Sequence, residues 1–441
     1  MSSIQRYRTI VTLALPIIGG MLSQSLLNLV DAAMVGSLGE TALAGVGLGS
    51  YANFVIISLI IGLSSGVQAM VARRQGQQLF ADAARPVNSG IVLSILIALP
   101  ISILAIIYSE PLIQLMSSDQ DALRTANQYF DYRTAAMVAV GINLSFRGWW
   151  NGTHRPGIYL KNLLLMHLLN ILISYGLIFG AFGLPEMGAP GAGLGTAIAL
   201  STGCLLNGIM VWRDARSAGF MQARSGISSF RTLTNLSLPH SLQQFLFAIS
   251  ISVLFWIIGM LGTEQQAIAH VLINLALFLI LPCVGLGIAS TTLVSRELGL
   301  NKTNDAAQWG WDICKLAFIA MMLLSLPMWI IPDQVLAIFL QDTDTIAQAR
   351  LPLQLTGIAI CLDAAAIVLT QALLGAGANR TVMLVSTSGQ WLFFLPLAWL
   401  AGPYMGFGLL GIWLIQILHR SLSSIAFILI WQRRRWVHIN F

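Results

Sequence analysis

The chain has 441 residues, of which 56% are hydrophobic and only 9% charged, with a mean hydropathy of +0.79. Soluble domains carry about 25% charged residues, so a soluble enzyme and a nucleic-acid-binding domain are both excluded. The formal net charge of +6 is read instead as basic cytoplasmic loops of a membrane protein.

Arg6 and Arg8 precede a first apolar run that superficially resembles a signal peptide. The run is too long and lacks a small-x-small cleavage site, so an uncleaved first span is expected. A bilayer core needs about 20 apolar residues per helix. Twelve stretches qualify in chain order: 11–36, 46–72, 87–109, 125–150, 158–182, 190–212, 232–261, 267–295, 307–331, 347–376, 380–402 and 407–432. One set of alternate loops holds Arg73, Arg74, Arg85, Arg155, Lys161, Arg213, Arg216, Arg296, Lys302, Arg380 and Arg433. The other set holds Glu40, Glu110, Asp119, Asp121, Glu186, Glu264, Asp333, Asp342 and Asp344, with little more than Arg124 and Arg350 against them. Positive loops stay inside, so both termini are expected in the cytoplasm. Cys204, Cys283, Cys314 and Cys361 lie in or beside spans with no CxxC pair, so no disulfide framework and no metal site are expected.

The spans form a repeat. At an offset of 223, Leu15-Pro16 meets Leu238-Pro239, Gly36 and Gly39 meet Gly259 and Gly262, Arg73 and Gly76 meet Arg296 and Gly299, and Asp82-Ala83-Ala84 meets Asp305-Ala306-Ala307. At 225, Gly152-x-x-Arg155 meets Gly377-x-x-Arg380, and at 218, Met187-Gly188 meets Met405-Gly406. The fold expected is all-α and integral to the membrane, twelve helices in two pseudo-symmetric six-helix bundles. The lobes expected are 1–215 and 232–441, joined by a cytoplasmic linker at 216–231. Six is even, so both lobes enter the membrane from one side, and such parallel repeats are a transporter pattern.

Two acids lie deep in apolar spans. Asp31, in the first, is surrounded by Val30, Ala32, Ala33, Met34 and Val35. A charge there costs about 2.5–3.5 kcal/mol on insertion scales, which makes it a candidate proton- or cation-binding group. The plainer alternative is an acid that snorkels or is hydrogen-bonded to a neighbour. The offset sets Asp31 against Leu254, so this chemistry belongs to the first lobe. Pro16 cannot donate its helical hydrogen bond and gives the first helix a point at which to bend. Asp363, in the tenth span, is either a buried acid bonded to a neighbouring helix or a second-lobe cation site. The seventh span has no acid to join it, only Gln243, Gln244, Ser250 and Ser252. Asn170 and Ser174 in the fifth span share a helix face, as glue between helices or as partners of Asp31. Tyr129 in the fourth span and Thr196 in the sixth are further candidates. Gly191-x-Gly193-x-Gly195 reads as close helix packing rather than a dinucleotide loop, having no strand before it. His167, His240 and His270 show no metal-ligand spacing, and no nucleophile or phosphate-loop motif supports an enzyme.

Twelve spans, the two six-helix repeats, a Pro fifteen residues before an Asp in the first helix and the paired Gly-x-x-Arg loops together resemble the multidrug and toxic compound extrusion (MATE) family over the whole chain. The resemblance implies export of organic cations or amphipathic drugs against a proton or sodium gradient. It implies no cofactor beyond that coupling ion, and as partners small-molecule substrates and the bilayer, with no nucleic acid; a duplicated lobe pair can by itself work as a monomer. It places Asp31 as the first-helix acid of DinF-like members, Asn170 in the same cation site, and Tyr129 and Thr196 as neighbours. Ser174 stands where some members carry a second Asp, which removes a charge. Asp363 resembles the tenth-helix Asp of the NorM-like branch, whose partner Glu in the seventh helix is absent. The expectation is a proton-coupled, DinF-like exporter. Its rivals are a sodium-coupled exporter using Asp363, a lipid-precursor flippase of the same superfamily, a channel and a membrane enzyme. A flippase would need basic spans, and here only Arg133 and Arg420 are basic deep within spans.

Overall fold

The computed structural model describes residues 3–116, 119–222, 226–439 and 441. Residues 223–225 of the expected linker therefore lie outside the described residues. The helices in chain order are α1 (Ser3–Gly36), α2 (Glu40–Ser58), α3 (Gly62–Gly76), α4 (Arg85–Ile107), α5 (Ser109–Gln114), α6 (Gln120–Ala135), α7 (Met137–Gly152), α8 (Pro156–Phe179) and α9 (Ala189–Ala215). They continue as α10 (Ile227–Gly259), α11 (Thr263–Leu279), α12 (Leu281–Gly299), α13 (Thr303–Ile330), α14 (Pro332–Ala337), α15 (Thr343–Ala376), α16 (Asn379–Ser388), α17 (Leu395–Trp399) and α18 (Gly408–Gln432). No strand occurs among the described residues. In hydrocarbon every backbone group must find its partner within the chain, and the helix does this segment by segment.

Eleven helical stretches of the described residues are long and apolar enough to cross a membrane. The fourth expected span, 125–150, is realised differently. It is two 16-residue helices, α6 and α7, joined at Ala136, whose φ of −84° and ψ of 3° leave the helical range. Neither half alone has the length of a span.

The repeat recurs in the backbone. Gly39 and Gly262, at the starts of α2 and α11, both hold a strongly positive φ, +117° and +108°. A side chain rarely tolerates that conformation. Gln78 and Asn301 both sit in the left-handed region, at φ 61° and 59°. The short helices α5 and α14 start at Ser109 and Pro332. Asp119 and Asp342 cap α6 and α15, accepting hydrogen bonds from the N–H of Ala122 (3.4 Å) and of Thr345 (2.9 Å). Each of these pairs keeps the 223-residue offset read from the sequence.

The chain clusters into two compact units, Gly19–Phe245 on the one hand, and Leu246–Phe441 with the chain up to Ile18 on the other. The repeats and the units are thus cut differently, because α1 and α10 each give their leading part to one unit and the remainder to the other. Side chains explain the cut. In the second unit Ile10, Leu13 and Ala14 of α1 are buried among residues of α12, α13 and α15. Arg6 pairs with Asp312 of α13 at 2.6 Å and lies 4.0 Å from the centre of the Trp309 ring. In the first unit His240 and Ser241 of α10 hydrogen-bond to α3, at Ser65 (2.6 Å) and the N–H of Gly62 (3.0 Å). That unit is built on α2 against α6, α3 and α4 against α7, and α8 against α9. In the second unit the unbroken α15 packs against α12, α13 and α18.

Candidate functional site

The first unit brings most of the sequence-derived site residues together. Helices α8 and α9 approach closely because Gly191 and Gly195 face α8. A Cβ on Gly191 would lie 2.8 Å from the carbonyl of Leu177, and one on Gly195 would collide with Ser174. Small residues at this spacing are how membrane helices gain contact without a hydrophobic driving force. The approach closes a chain of hydrogen bonds. Asn170 Nδ2 donates to Thr196 Oγ1 at 2.9 Å, Thr196 Oγ1 donates to the Ala192 carbonyl at 2.8 Å, and Ser174 Oγ donates to Asn170 Oδ1 at 3.4 Å. All three side chains are buried, with Ser174 at 0% exposure.

Tyr129 of α6 wedges its ring between two glycines. A Cβ on Gly49 of α2 or on Gly193 of α9 would each come within 3.0 Å of the ring edge. The Tyr129 hydroxyl accepts a hydrogen bond from Arg133 Nη1 at 3.3 Å. Sequence reasoning passed over Arg133 as a member of this site. Its signal was available, since a charge within an apolar span faces protein and finds a partner, and position 133 follows Tyr129 by one helical turn.

Asp31 stands on α1 one turn before Val35, which is fully buried with Tyr129, Ile178 and Ala192. The acid is half-buried. Its Oδ1 is shielded from solvent and has no hydrogen-bond partner among the described residues, and Arg133 Nε is in the same condition. Arg133 is the cation whose field reaches the Asp31 carboxylate. No hydrogen bond ties Asp31 to Asn170, Ser174, Thr196 or Tyr129 among the described residues. A buried polar atom left without a partner calls for an explanation, and an exchangeable proton or cation supplies one.

Two turns before Asp31, α1 is held to α8. His167 Nε2 donates to Gln24 Oε1 at 3.1 Å, and its Nδ1 shares a hydrogen bond with Ser23 Oγ at 2.7 Å. Pro16 lies within the uninterrupted helix α1. The other end of α8 is occupied by a different construction. Arg155 clamps Asp214 with bonds of 2.6 and 2.5 Å, and Trp149 Nε1 donates to the same carboxylate at 3.1 Å. Fifteen residues of helix, roughly 22 Å, separate this clamp from Asn170.

Asp363 belongs to the second unit. It lies on α15 and is ion-paired and hydrogen-bonded to Arg420 of α18. Arg420, Gln416, Trp413 and Thr356 are among the residues lining a small cavity, where Trp413 Nε1 donates to Thr356 Oγ1 at 2.8 Å. In α10, Ser250 accepts from Gln390 at 3.0 Å and donates to the Phe247 carbonyl. The four cysteines are free thiols.

Duplicated spans, matching turns and caps, and an open acid beside buried polar side chains define a multi-pass membrane protein of the solute-carrier kind. The MatE family model matches the chain twice, over residues 16–176 and 239–400, beginning at the two equivalent prolines. The chain belongs to the MATE family. It is 26% identical over 448 residues to the probable multidrug resistance protein NorM of Thermotoga maritima, covering 97% of this chain and 93% of that one. It is 27% identical over 439 residues to the multidrug resistance protein NorM of Burkholderia vietnamiensis, covering 95% and 92%. Among solved structures, a MOP superfamily transporter from Pyrococcus furiosus, described as having a binding pocket of reversed polarity, matches with a TM-score of 0.89 at 20% identity over 99% of this chain and 97% of that one. A mutant of the Vibrio cholerae MATE transporter VcmN matches with a TM-score of 0.89 at 18% identity over 98% and 97%. At these identities the structural matches speak to the fold.

Proposed function

We propose that the chain is a multidrug exporter that expels organic cations or amphipathic drugs in exchange for protons, with Asp31 as the coupling group. The names of its relatives support drug export, and one observation carries the coupling: Asp31 is an acid inside an apolar helix with a buried oxygen that nothing among the described residues satisfies. Such an oxygen is met by a proton or a metal cation that comes and goes. Protonation removes the attraction to Arg133, and Pro16, which lacks an N–H to hold α1 straight, lets the helix bend in response. Asn170, Ser174 and Thr196 form the polar wall of the site, and Tyr129 positions Arg133.

The whole-chain relatives carry the NorM name, whereas the Asp31 pattern is that of the DinF-like branch. We assign the branch by the site, since identities near 26% follow the shared helical frame. A lipid-precursor flippase would need free cations in its spans, and here Arg420 is paired with Asp363 and Arg133 is hydrogen-bonded to Tyr129. Both termini in the cytoplasm, the bacterial inner membrane and a working monomer complete the reading.

The test is efflux of a fluorescent organic cation from proteoliposomes under an imposed pH gradient or an imposed sodium gradient. Wild type should respond to the pH gradient, and Asp31→Asn should lose at least ten-fold of that rate while remaining folded. Undiminished export by Asp31→Asn would sink the mechanism. Export driven by sodium alone and lost in Asp363→Asn would move coupling to the second repeat.

A further inference from the structure

An acid in an apolar span needs a compensating charge or a proton, and Asp31 and Asp363 are provided for in different ways. Asp363 has an arginine in contact; Asp31 has an oxygen with no partner. We infer that Arg420 is a built-in counter-ion, its guanidinium occupying the place at Asp363 that a mobile cation would take, so that the second repeat carries no exchangeable cation site. This deepens the reading of the chain as a cation-coupled exporter and rests on it. Coupling at Asp31 then has no second cation site at Asp363 beside it.

The geometry fixes the arginine in place. One turn beyond Arg420, Ser424 Oγ donates to the Leu362 carbonyl and accepts from the N–H of Ala366 at 3.3 Å. These bonds bracket Asp363 on α15 and lock the register of α18 against it. Arg420 is therefore presented to Asp363 by a packed helix pair and not by a wandering side chain. Both members of the pair are largely enclosed, with side chains 22% and 15% exposed, so water screens them little. Arg420 makes no other ion pair among the described residues. The pair is also particular to its repeat. At an offset of 218 Arg420 faces Thr202, and at 223 or 225 Asp363 faces Val140 or Val138. The first repeat thus has neither charge at these positions.

Sodium-dependent thermal stability of the purified full-length chain tests this without any transport. The Asp31→Asn background is used, so that a cation bound at Asp31 does not contribute and the coupling proposal stands or falls separately. Melting is compared in sodium chloride and in choline chloride. Asp31→Asn should melt at the same temperature in both. Asp31→Asn/Arg420→Gln should gain several degrees in sodium, and adding Asp363→Asn should remove the gain. A folded Asp31→Asn/Arg420→Gln protein with no sodium response would overturn the inference. If that variant does not fold, the Asp31→Asn protein still decides, beside the same protein with Asp363→Asn and Arg420→Gln together. A sodium response in the former that is lost in the latter overturns the inference; no response in either upholds it.

Discussion

In the first repeat, Asp31 and Arg133 stand on α1 and α6 with no hydrogen bond between them, each keeping a buried atom unsatisfied. In the second, Asp363 and Arg420 stand on α15 and α18 in direct contact. The repeats share their turns and caps, yet these charges do not correspond. Asp31 and Arg133 are set against Leu254 and Thr356 at the 223 offset. The frame of a duplicated membrane protein is held by backbone requirements that both copies must meet. The charges answer to no such requirement and are free to diverge. A closed pair serves structure; an open acid is available for exchange.

Stability gives the sharpest separation of the two. Asp363→Leu leaves Arg420 enclosed and unpaired, and breaking such a pair costs about 3–5 kcal/mol. Asp363→Leu/Arg420→Met should recover most of that loss. Unfolding in detergent, followed by a thiol-reactive dye at the four buried or half-buried cysteines, checks both. A single variant as stable as wild type would mean that the pair holds nothing together. In the first repeat the effects are expected to be smaller. Asn170→Ala removes the bond to Thr196 Oγ1, and inter-helical bonds of this kind are worth about 0.6–1.7 kcal/mol in membranes. The same melting experiment should show a modest loss, together with slower pH-driven efflux. Wild-type efflux from Asn170→Ala would reduce that residue to a joint between α8 and α9. Least of all is the matched cap. The Asp342 carboxyl is held below its ordinary value of 3.8, first by the Thr345 N–H and then by the Thr345 hydroxyl. A depressed acid contributes stability above its unfolded value and loses it as the pH falls through the folded one. The difference in melting temperature between wild type and Asp342→Ala should therefore be constant at neutral pH and shrink below about pH 4. A difference that persists unchanged into strong acid would deny the carboxylate its role.

Much of this architecture was legible in the chain. Hydrophobic length placed the spans, because a bilayer imposes one length scale on every helix. The 223 offset located Gly39 with Gly262 and Asp82 with Asp305, and the backbone follows it down to the left-handed Gln78 and Asn301. The joint at Ala136 was not legible in 125–150, since a change in ψ at one alanine leaves no compositional trace, although Asn127, Gln128, Asp131 and Arg133 make the first half of that stretch polar. The π-helical turns at Gly389–Phe394 and Leu400–Tyr404 were equally hidden. At the site, Asn170 and Ser174 were readable from their four-residue spacing, and their companion Thr196 only as a candidate. The contact of Asp363 with Arg420 spans 57 residues and depends on how α15 and α18 are rotated. Periodicity cannot supply that rotation in helices that are apolar all round. Sequence could still say that an arginine and an acid in apolar spans would each seek an opposite charge.

The glycine turns bear on how such a chain can be rearranged. Gly39 and Gly262 hold φ above +100°, and among the described residues nothing lies within 4 Å of a Cβ built on either. Their demand for glycine is thus imposed by the main chain alone and owes nothing to surrounding packing. A segment cut at one turn and grafted onto the other meets the same backbone geometry with no neighbour to offend. These two positions are the seams at which hybrids of the two halves can be joined, letting the open-acid helix of one half be transplanted onto the other.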